Sequence, residues 1–260
     1  MLPRPRKRFG QHFLTDRHWL ERIVAAIDPL PGDAMLEIGP GTGLLTAELI
    51  PVVRPLHVVE IDRDLAAALR ERFPADRLIV HEGDALDFDL ASLPAPLRVV
   101  GNLPYNVSTP ILFHIEAQAA RVRDCTFLLQ KEVVDRMVAT PATPEYGRLS
   151  VMLQARFAMA KALDVPPGAF TPPPKVDSAV VRMRPLGEDR TRAKDERLFA
   201  AIVAAAFSQR RKTLRNAARA FVPEAAYARA GIDPGRRGET LSVLEYVALA
   251  DAALQAGGGE

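Results

Sequence analysis

Apolar positions along the first two thirds of the chain switch repeatedly between a period of two and a period near 3.6. Trp19, Leu20, Ile23, Val24 and Ile27 recur at three-four spacing, which predicts a helix over residues 16–27, opened by Thr15 or Asp16 and stopped by Pro29 and Pro31. The apolar run Ala34 to Ile38 reads as a strand, Gly39-Pro40-Gly41-Thr42-Gly43 as a glycine loop, and residues 44–50 as the start of a helix. Leu56 to Glu60 is a second strand, residues 62–73 a helix, Arg77 to His81 a third strand, and Leu97 to Gly101 a fourth. Strands alternating with helices predict an α/β unit built on a parallel sheet. Residues 176–183 read as a further strand, expected to pair antiparallel with residues 157–165 at an edge. After the polar stretch Pro185 to Lys194 the pattern turns helical over 196–207, 212–220, 224–230 and 242–253, with 257–260 as a disordered tail. The expected architecture is therefore a Rossmann-like α/β domain over residues 1–185 and a small all-helical domain over 186–260.

Composition narrows the classes. The chain has 260 residues, 48% hydrophobic and 25% charged, enough for one large core and a satellite domain. No apolar run approaches the roughly 20 residues needed to cross a bilayer. The N-terminal segment has no apolar h-region or small-residue cleavage site, so a cytoplasmic protein without membrane contact is expected. A single cysteine excludes an intrachain disulfide and a Cys-based zinc site, no metal is expected, and the apolar run around Cys125 reads as the setting of a buried structural thiol.

Charge alters the picture through its distribution. The net charge is only +2, yet Arg4, Arg6, Lys7 and Arg8 form one acid-free cluster and Arg210, Arg211, Lys212, Arg215 and Arg219 another. Either alone reads as a solvated face. Two of them flanking a candidate base-binding site point to RNA, with Arg6, Lys7, Arg8, Arg210, Arg211, Lys212 and Arg215 as candidate contacts. Phe9 and Phe13 within residues 1–15 suggest that this basic segment packs over the body as a lid.

The candidate chemistry lies at the strand ends. A glycine loop between strand and helix, followed about 20 residues later by Glu60 at the tip of the next strand, is the layout of a Rossmann-type nucleoside site, the alternative being a tight turn without a ligand. Carboxyl ends of parallel strands share one rim, so Gly39, Glu60, Asp84 and Asn102 should converge there. Asp62 and Asp64 read as helix-start acids, and Asp87 and Asp89 as solvated. The spacing Gly-x-Gly-x-Gly, with no hydride-transfer constellation after it, argues against a nicotinamide enzyme. The fourth strand instead ends in Asn102-Leu103-Pro104-Tyr105. The Asn102 side-chain oxygen and the Leu103 carbonyl, held extended by Pro104, can accept the N–H groups of an exocyclic amine, while Tyr105 stacks on its ring and steadies developing positive charge. That set suits methylation of a base amine with S-adenosylmethionine as donor and S-adenosylhomocysteine as product.

The stretches RKRFGQHFL, LEIGPGTG, VVEIDRDL, GNLPYNVSTPILFHI, LLQKEVVDRM, YGRLSVM, PPGAFTPPPKVDSAVVRM, AFSQRRKTLRN and GIDPGRRGETLSV cover nearly the whole chain. On them the sequence resembles the small-subunit ribosomal RNA adenine dimethyltransferases of the kasugamycin-resistance family. The resemblance implies a Rossmann-like S-adenosylmethionine-dependent methyltransferase domain. It also implies a cofactor set of His12, Leu14, Gly39, Glu60, Asp84 and Asn102, with Asp84 on the cofactor adenine amine. His12 departs from the asparagine common in the family. Two adjacent adenosines in the 3′-terminal hairpin loop of 16S rRNA are the implied target, each dimethylated, on the small ribosomal subunit or its precursor, by a monomer. Large-subunit adenine methyltransferases share the catalytic half, but the triple-proline and C-terminal blocks favour the small-subunit enzyme. The resemblance places Phe170 on the face of the target adenine opposite Tyr105; the residues alone favour Phe170 as a plug in a proline loop.

Overall fold

Local chemistry fixes where the elements begin and end. The computed structural model describes residues 12–187, 192–209 and 211–257. The chain runs β1 (Phe13–Leu14), α1 (Arg17–Ile27), β2 (Ala34–Ile38), α2 (Leu44–Leu49), β3 (Leu56–Glu60), α3 (Arg63–Arg72), β4 (Leu78–Glu82), β5 (Leu97–Asn102), α4 (Ser108–Ala117), β6 (Val122–Gln130), α5 (Lys131–Val138), α6 (Arg148–Gln154), β7 (Phe157–Val165), β8 (Phe170–Thr171), β9 (Ser178–Pro185), α7 (Glu196–Ser208), α8 (Leu214–Ala218), α9 (Glu224–Ala230) and α10 (Val243–Gly257). Of the two N-cap candidates for α1, Asp16 serves, accepting the Trp19 N–H at 3.2 Å. Asp62 caps α3 through the Asp64 N–H, and Asp195 caps α7. Asp89, read as solvated, accepts the Ala91 N–H and opens a short 3₁₀ turn.

A seven-stranded sheet has the order β4-β3-β2-β5-β6-β9-β7. The first five strands are mutually parallel and β9 runs antiparallel to β6. β7 lies beside β9 at the edge, the neighbours foreseen, although β9 starts two residues later than the pattern indicated. The chain leaves β2 through β3 to β4, then returns to lay β5 on the other flank of β2. The carboxyl ends of β2 and β5 are thus the point where strand order reverses and where a doubly wound sheet opens a crevice. Leu36, Ile38, Val58, Val59, Val99 and Val100 are buried on both faces, as interior parallel strands require. β6 escaped the reading of the sequence because Arg123 and Asp124 interrupt its apolar run. Asp124 is neutralised by Arg98 from β5 at 2.9 Å. Cys125 in β6 is fully buried and burial pushes its thiol pKa up.

The chain forms two units. One holds the described residues through 134 together with 158–185, and the other holds 135–157 and those from 186 onward. A unit boundary does fall after Pro185, but residues 135–157, placed by the sequence with the α/β domain, belong with the helices. Tyr146 and Val151 are core neighbours of Phe199, Ile202 and Tyr246, and the Tyr146 hydroxyl donates to the Leu241 carbonyl at 2.9 Å. Gly257 closes α10 instead of opening a tail, and 258–260 lie outside the described residues. Among the described residues no helix is long and apolar enough to cross a membrane.

Candidate active site

The glycine loop leaves β2 through three residues with positive φ, Gly39 (64°), Gly41 (57°) and Gly43 (73°). A Cβ on Gly41 would lie 2.9 Å from the Phe13 ring, so the loop passes directly beneath the strap at residues 13–14. Glu60 ends β3 and is 4% exposed. One of its oxygens accepts the Gly41 N–H at 3.0 Å and the other the Asp62 N–H at 2.9 Å. Burial raises its pKa, while these backbone N–H bonds oppose the rise. Each oxygen retains a lone pair for a further donor. Beside it Ile61 is 47% exposed and Asp84, exposed at the end of the β4 loop, completes the rim.

β5 approaches β2 so closely at Gly101 that a Cβ there would lie 2.4 Å from the Ile38 carbonyl oxygen. This places Asn102 next to the glycine loop. The Asn102 side-chain N–H donates to the His12 carbonyl at 3.0 Å, which fixes the amide. Neither its oxygen nor the Leu103 carbonyl accepts a hydrogen bond among the described residues. Leu103 is buried, its N–H donating to the Leu128 carbonyl at 3.1 Å, and the Pro104 carbonyl closes the turn by accepting the Val107 N–H at 3.2 Å. The Tyr105 hydroxyl lies 2.6 Å from Ser178 Oγ, and its ring stacks on His12 with centroids 5.5 Å apart and planes at 28°. Burial raises the Tyr105 pKa, keeping the phenol neutral.

Residues 12–16 are a strap. Phe13 pairs with Thr171 and Leu14 with Phe170, and the His12 Nδ1 lies 2.9 Å from the Pro172 carbonyl. One cavity is lined together by His12, Leu14, Gly39, Glu60, Asp84, Asn102, Leu103, Pro104 and Tyr105. Phe170 is the exception to the expected set. It is 2% exposed, packs in the apolar cluster with Leu14, Leu20 and Ile23, and does not line the cavity. The reason is the β1–β8 pairing, which sets Phe170 opposite Leu14 within that apolar cluster. Of the RNA candidates, Arg6, Lys7, Arg8 and Arg210 lie outside the described residues. Arg211, Lys212 and Arg215 are exposed in the helical unit, with Arg215 paired to Glu224 at 2.5 Å.

Two residues at the site escaped the reading of the sequence. Glu37 is 2% exposed in β2, accepts the Thr46 hydroxyl at 2.6 Å and lines the cavity. Burial pushes its pKa up to about 8, the Thr46 bond opposes the rise, and the Glu60 charge adds to it. An acid inside an apolar strand, two positions before a glycine loop, was the available signal. Ser178 gave none, since one small polar residue at a strand start is common.

Fold and site define a class: a Rossmann-like α/β protein in which the glycine loop, Glu60 and the Asn-Leu-Pro-Tyr turn line one cavity. Residues 3–254 match the family model described as ribosomal RNA adenine dimethylase, and the chain belongs to that family. It is 61% identical over 246 residues, 95% of this chain and 93% of the relative, to "Ribosomal RNA small subunit methyltransferase A" of Aromatoleum aromaticum. The protein of the same name from Laribacter hongkongensis is 57% identical over 249 residues, 95% of each chain. Among solved structures, the 23S rRNA methyltransferase ErmE superposes with a TM-score of 0.70 at 28% identity, over 94% of this chain and 100% of that one. A dimethyladenosine transferase from Plasmodium falciparum shares the fold with a TM-score of 0.79 at 24% identity, over 92% of this chain and 96% of that one.

Proposed function

We propose that the protein dimethylates the exocyclic amines of two adjacent adenosines in the 3′-terminal hairpin loop of 16S rRNA, acting on the small ribosomal subunit or its precursor during ribosome biogenesis. The observation that carries the chemistry is the Asn102 amide: its nitrogen is engaged by the strap at the His12 carbonyl, and among the described residues its oxygen and the neighbouring Leu103 carbonyl accept no hydrogen bond. Family membership and relatives named as small-subunit methyltransferases support the substrate.

The residues present fit S-adenosylmethionine. The loop at Gly39 and Gly41 bares backbone, Glu60 offers lone pairs to a ribose diol, Ile61 offers an apolar surface to a base, and Asp84 offers an acceptor to its amine. When bound, this cofactor supplies an electrophilic methyl group on a sulfonium. The chain's own residues prepare the nucleophile. Asn102 Oδ1 and the Leu103 carbonyl accept the two N–H groups of adenine, which draws the nitrogen lone pair out of conjugation with the ring. Tyr105 stacks on the base through the face that His12 leaves uncovered and stabilises positive charge on the amine. No strong base is required, because the alkylated amine is acidic and sheds its proton to solvent. Positioning carries most of the rate.

Arg211, Lys212 and Arg215 in the helical unit, with Arg6, Lys7, Arg8 and Arg210, are proposed as phosphate contacts, and the protein as a cytoplasmic monomer. Incubation with labelled S-adenosylmethionine and separated 30S and 50S particles from a strain lacking this activity tests the assignment. Label is expected in 16S rRNA; label in 23S rRNA alone would make the protein a large-subunit enzyme.

A further inference from the structure

The segment Val176-Asp177-Ser178 takes no part in the reaction just described, yet it delivers a hydroxyl to its edge. Ser178 is 0% exposed, and its Oγ lies 2.6 Å from the Tyr105 hydroxyl, a hydrogen bond in which either atom can donate. The backbone carrying Ser178 is itself fixed. Ser178 pairs with Gln130 at the end of β6, and the preceding Asp177 carbonyl accepts the Lys131 N–H at 2.9 Å. Tyr105 sits on an open turn, where an aromatic side chain would ordinarily sample more than one staggered χ1 well. Here the tip of the ring is tied by Ser178, one face is covered by His12 at 5.5 Å, and the Tyr105 carbonyl accepts the Ser108 hydroxyl at 3.2 Å.

We infer that Ser178 is a positioning residue: it acts through the Tyr105 hydroxyl to lock the ring in the orientation that stacks the target base against the Asn102 and Leu103 acceptors. The inference rests on the proposed reading that Tyr105 stacks on the adenine. Its physical basis is that a pre-ordered ring spares the reaction the cost of ordering it, and that a misplacement of about 1 Å in an aligned site can cost on the order of 10²-fold in rate. Two consequences separate this role from a structural one. The two hydroxyls form one unit, so removing either should have the same effect as removing both. The cofactor, bound at the other end of the cavity by Glu60 and the glycine loop, should not sense the change.

The test is a double-mutant cycle in the full-length protein, with Ser178→Ala, Tyr105→Phe and the double variant. Single-turnover methyl transfer to 30S particles is read beside cofactor affinity from Trp19 fluorescence and the thermal midpoint. Each single variant should slow transfer about five- to tenfold, the loss of one hydrogen bond. The double variant should be no slower than either, with cofactor affinity within about twofold of the parent. If Ser178→Ala fails to fold, Tyr105→Phe, which keeps the ring, carries the same expectation. A fully active Tyr105→Phe, or factors that multiply in the double variant, would overturn the role of Ser178. A parent protein that transfers no methyl group to 16S rRNA would instead overturn the reading on which it rests.

Discussion

The two ends of the parallel sheet treat buried charge in opposite ways. At the amino ends, the Arg98 guanidinium donates to Asp124 at 2.9 Å, to Asp33 at 2.6 Å and to the Ile27 and Asp28 carbonyls, and Asp33 also meets Arg123 at 2.9 Å. Burial alone would raise the Asp33 pKa, but the Arg98 and Leu30 hydrogen bonds and the two arginine charges carry it below the ordinary value. At the carboxyl ends, Glu37 and Glu60 are just as buried, and among the described residues their bonds come from Thr46 and from backbone N–H groups. With no cation among their partners in the described residues, burial dominates and both pKa values rise. The amino rim is a closed network that ties the end of α1 to β5 and β6. The carboxyl rim is left electrostatically unfinished, with spare acceptors on Glu60, Asn102 and Leu103. Polar groups that the fold does not satisfy mark where a ligand can, and the difference separates residues that hold the sheet from residues that use it.

The largest expected effect comes from breaking the closed rim. Arg98→Ala should cost about 3–5 kcal/mol of stability, because Asp124, Asp33 and two carbonyls each lose a donor at once and Asp33 keeps only Arg123 and the Leu30 N–H. Urea denaturation followed by circular dichroism measures it, and a loss under about 1 kcal/mol would mean that the network is not what ties these elements. Next is the open rim. Asn102→Ala should lower the methyl-transfer rate about 10²–10³-fold, the usual cost of removing one pre-aligned polar partner of the reacting group, while leaving the denaturation midpoint nearly unchanged. A large drop in stability with this variant would erase the distinction between the rims.

The remaining effect concerns pH. Glu37 has its folded pKa raised from 4.5 to about 8, so the stability it contributes is fully present below about 4.5 and is lost as pH rises toward 8. Asp33, lowered, acts with the reverse sign and contributes above its ordinary value of 3.8. Denaturation of the cofactor-free protein at pH 5 and pH 8 should therefore show a fall that Glu37→Gln flattens. An unchanged slope in the variant would show that the carboxyl-rim acid carries no uncompensated charge.

Much of the carboxyl rim was legible because its chemistry is local in sequence. The glycine loop, Glu60 at the next strand tip and the Asn-Leu-Pro-Tyr turn each follow a short apolar run, and parallel topology then gathers strand ends on one side. The amino rim was hidden for the converse reason. Arg98 interrupts an apolar strand in the same way that a solvated residue would, and only the pairing of β5 with β6 brings Asp124 to it. Glu37 was masked similarly, since nothing in a strand pattern tells a buried acid from an edge one. Phe170 was hidden differently: the three prolines indicated a fixed segment, but the place of its side chain depends on β1 pairing with β8, a contact between residues more than 150 positions apart. The assignment of residues 135–157 to the helical unit likewise rests on packing around Tyr146, which leaves no mark at the level of composition.

The central claim is that the open rim, and Asn102 within it, dimethylates adenosine on the small subunit. Mass spectrometry of 16S rRNA from unmethylated 30S particles, after incubation with the protein and labelled S-adenosylmethionine, tests it most directly. Two methyl groups on each of two adjacent adenosines of the 3′-terminal hairpin are expected with the parent protein, and only traces with Asn102→Ala over the time in which the parent reaction completes. Bare adenosines with the parent protein, or full dimethylation by Asn102→Ala, would contradict it.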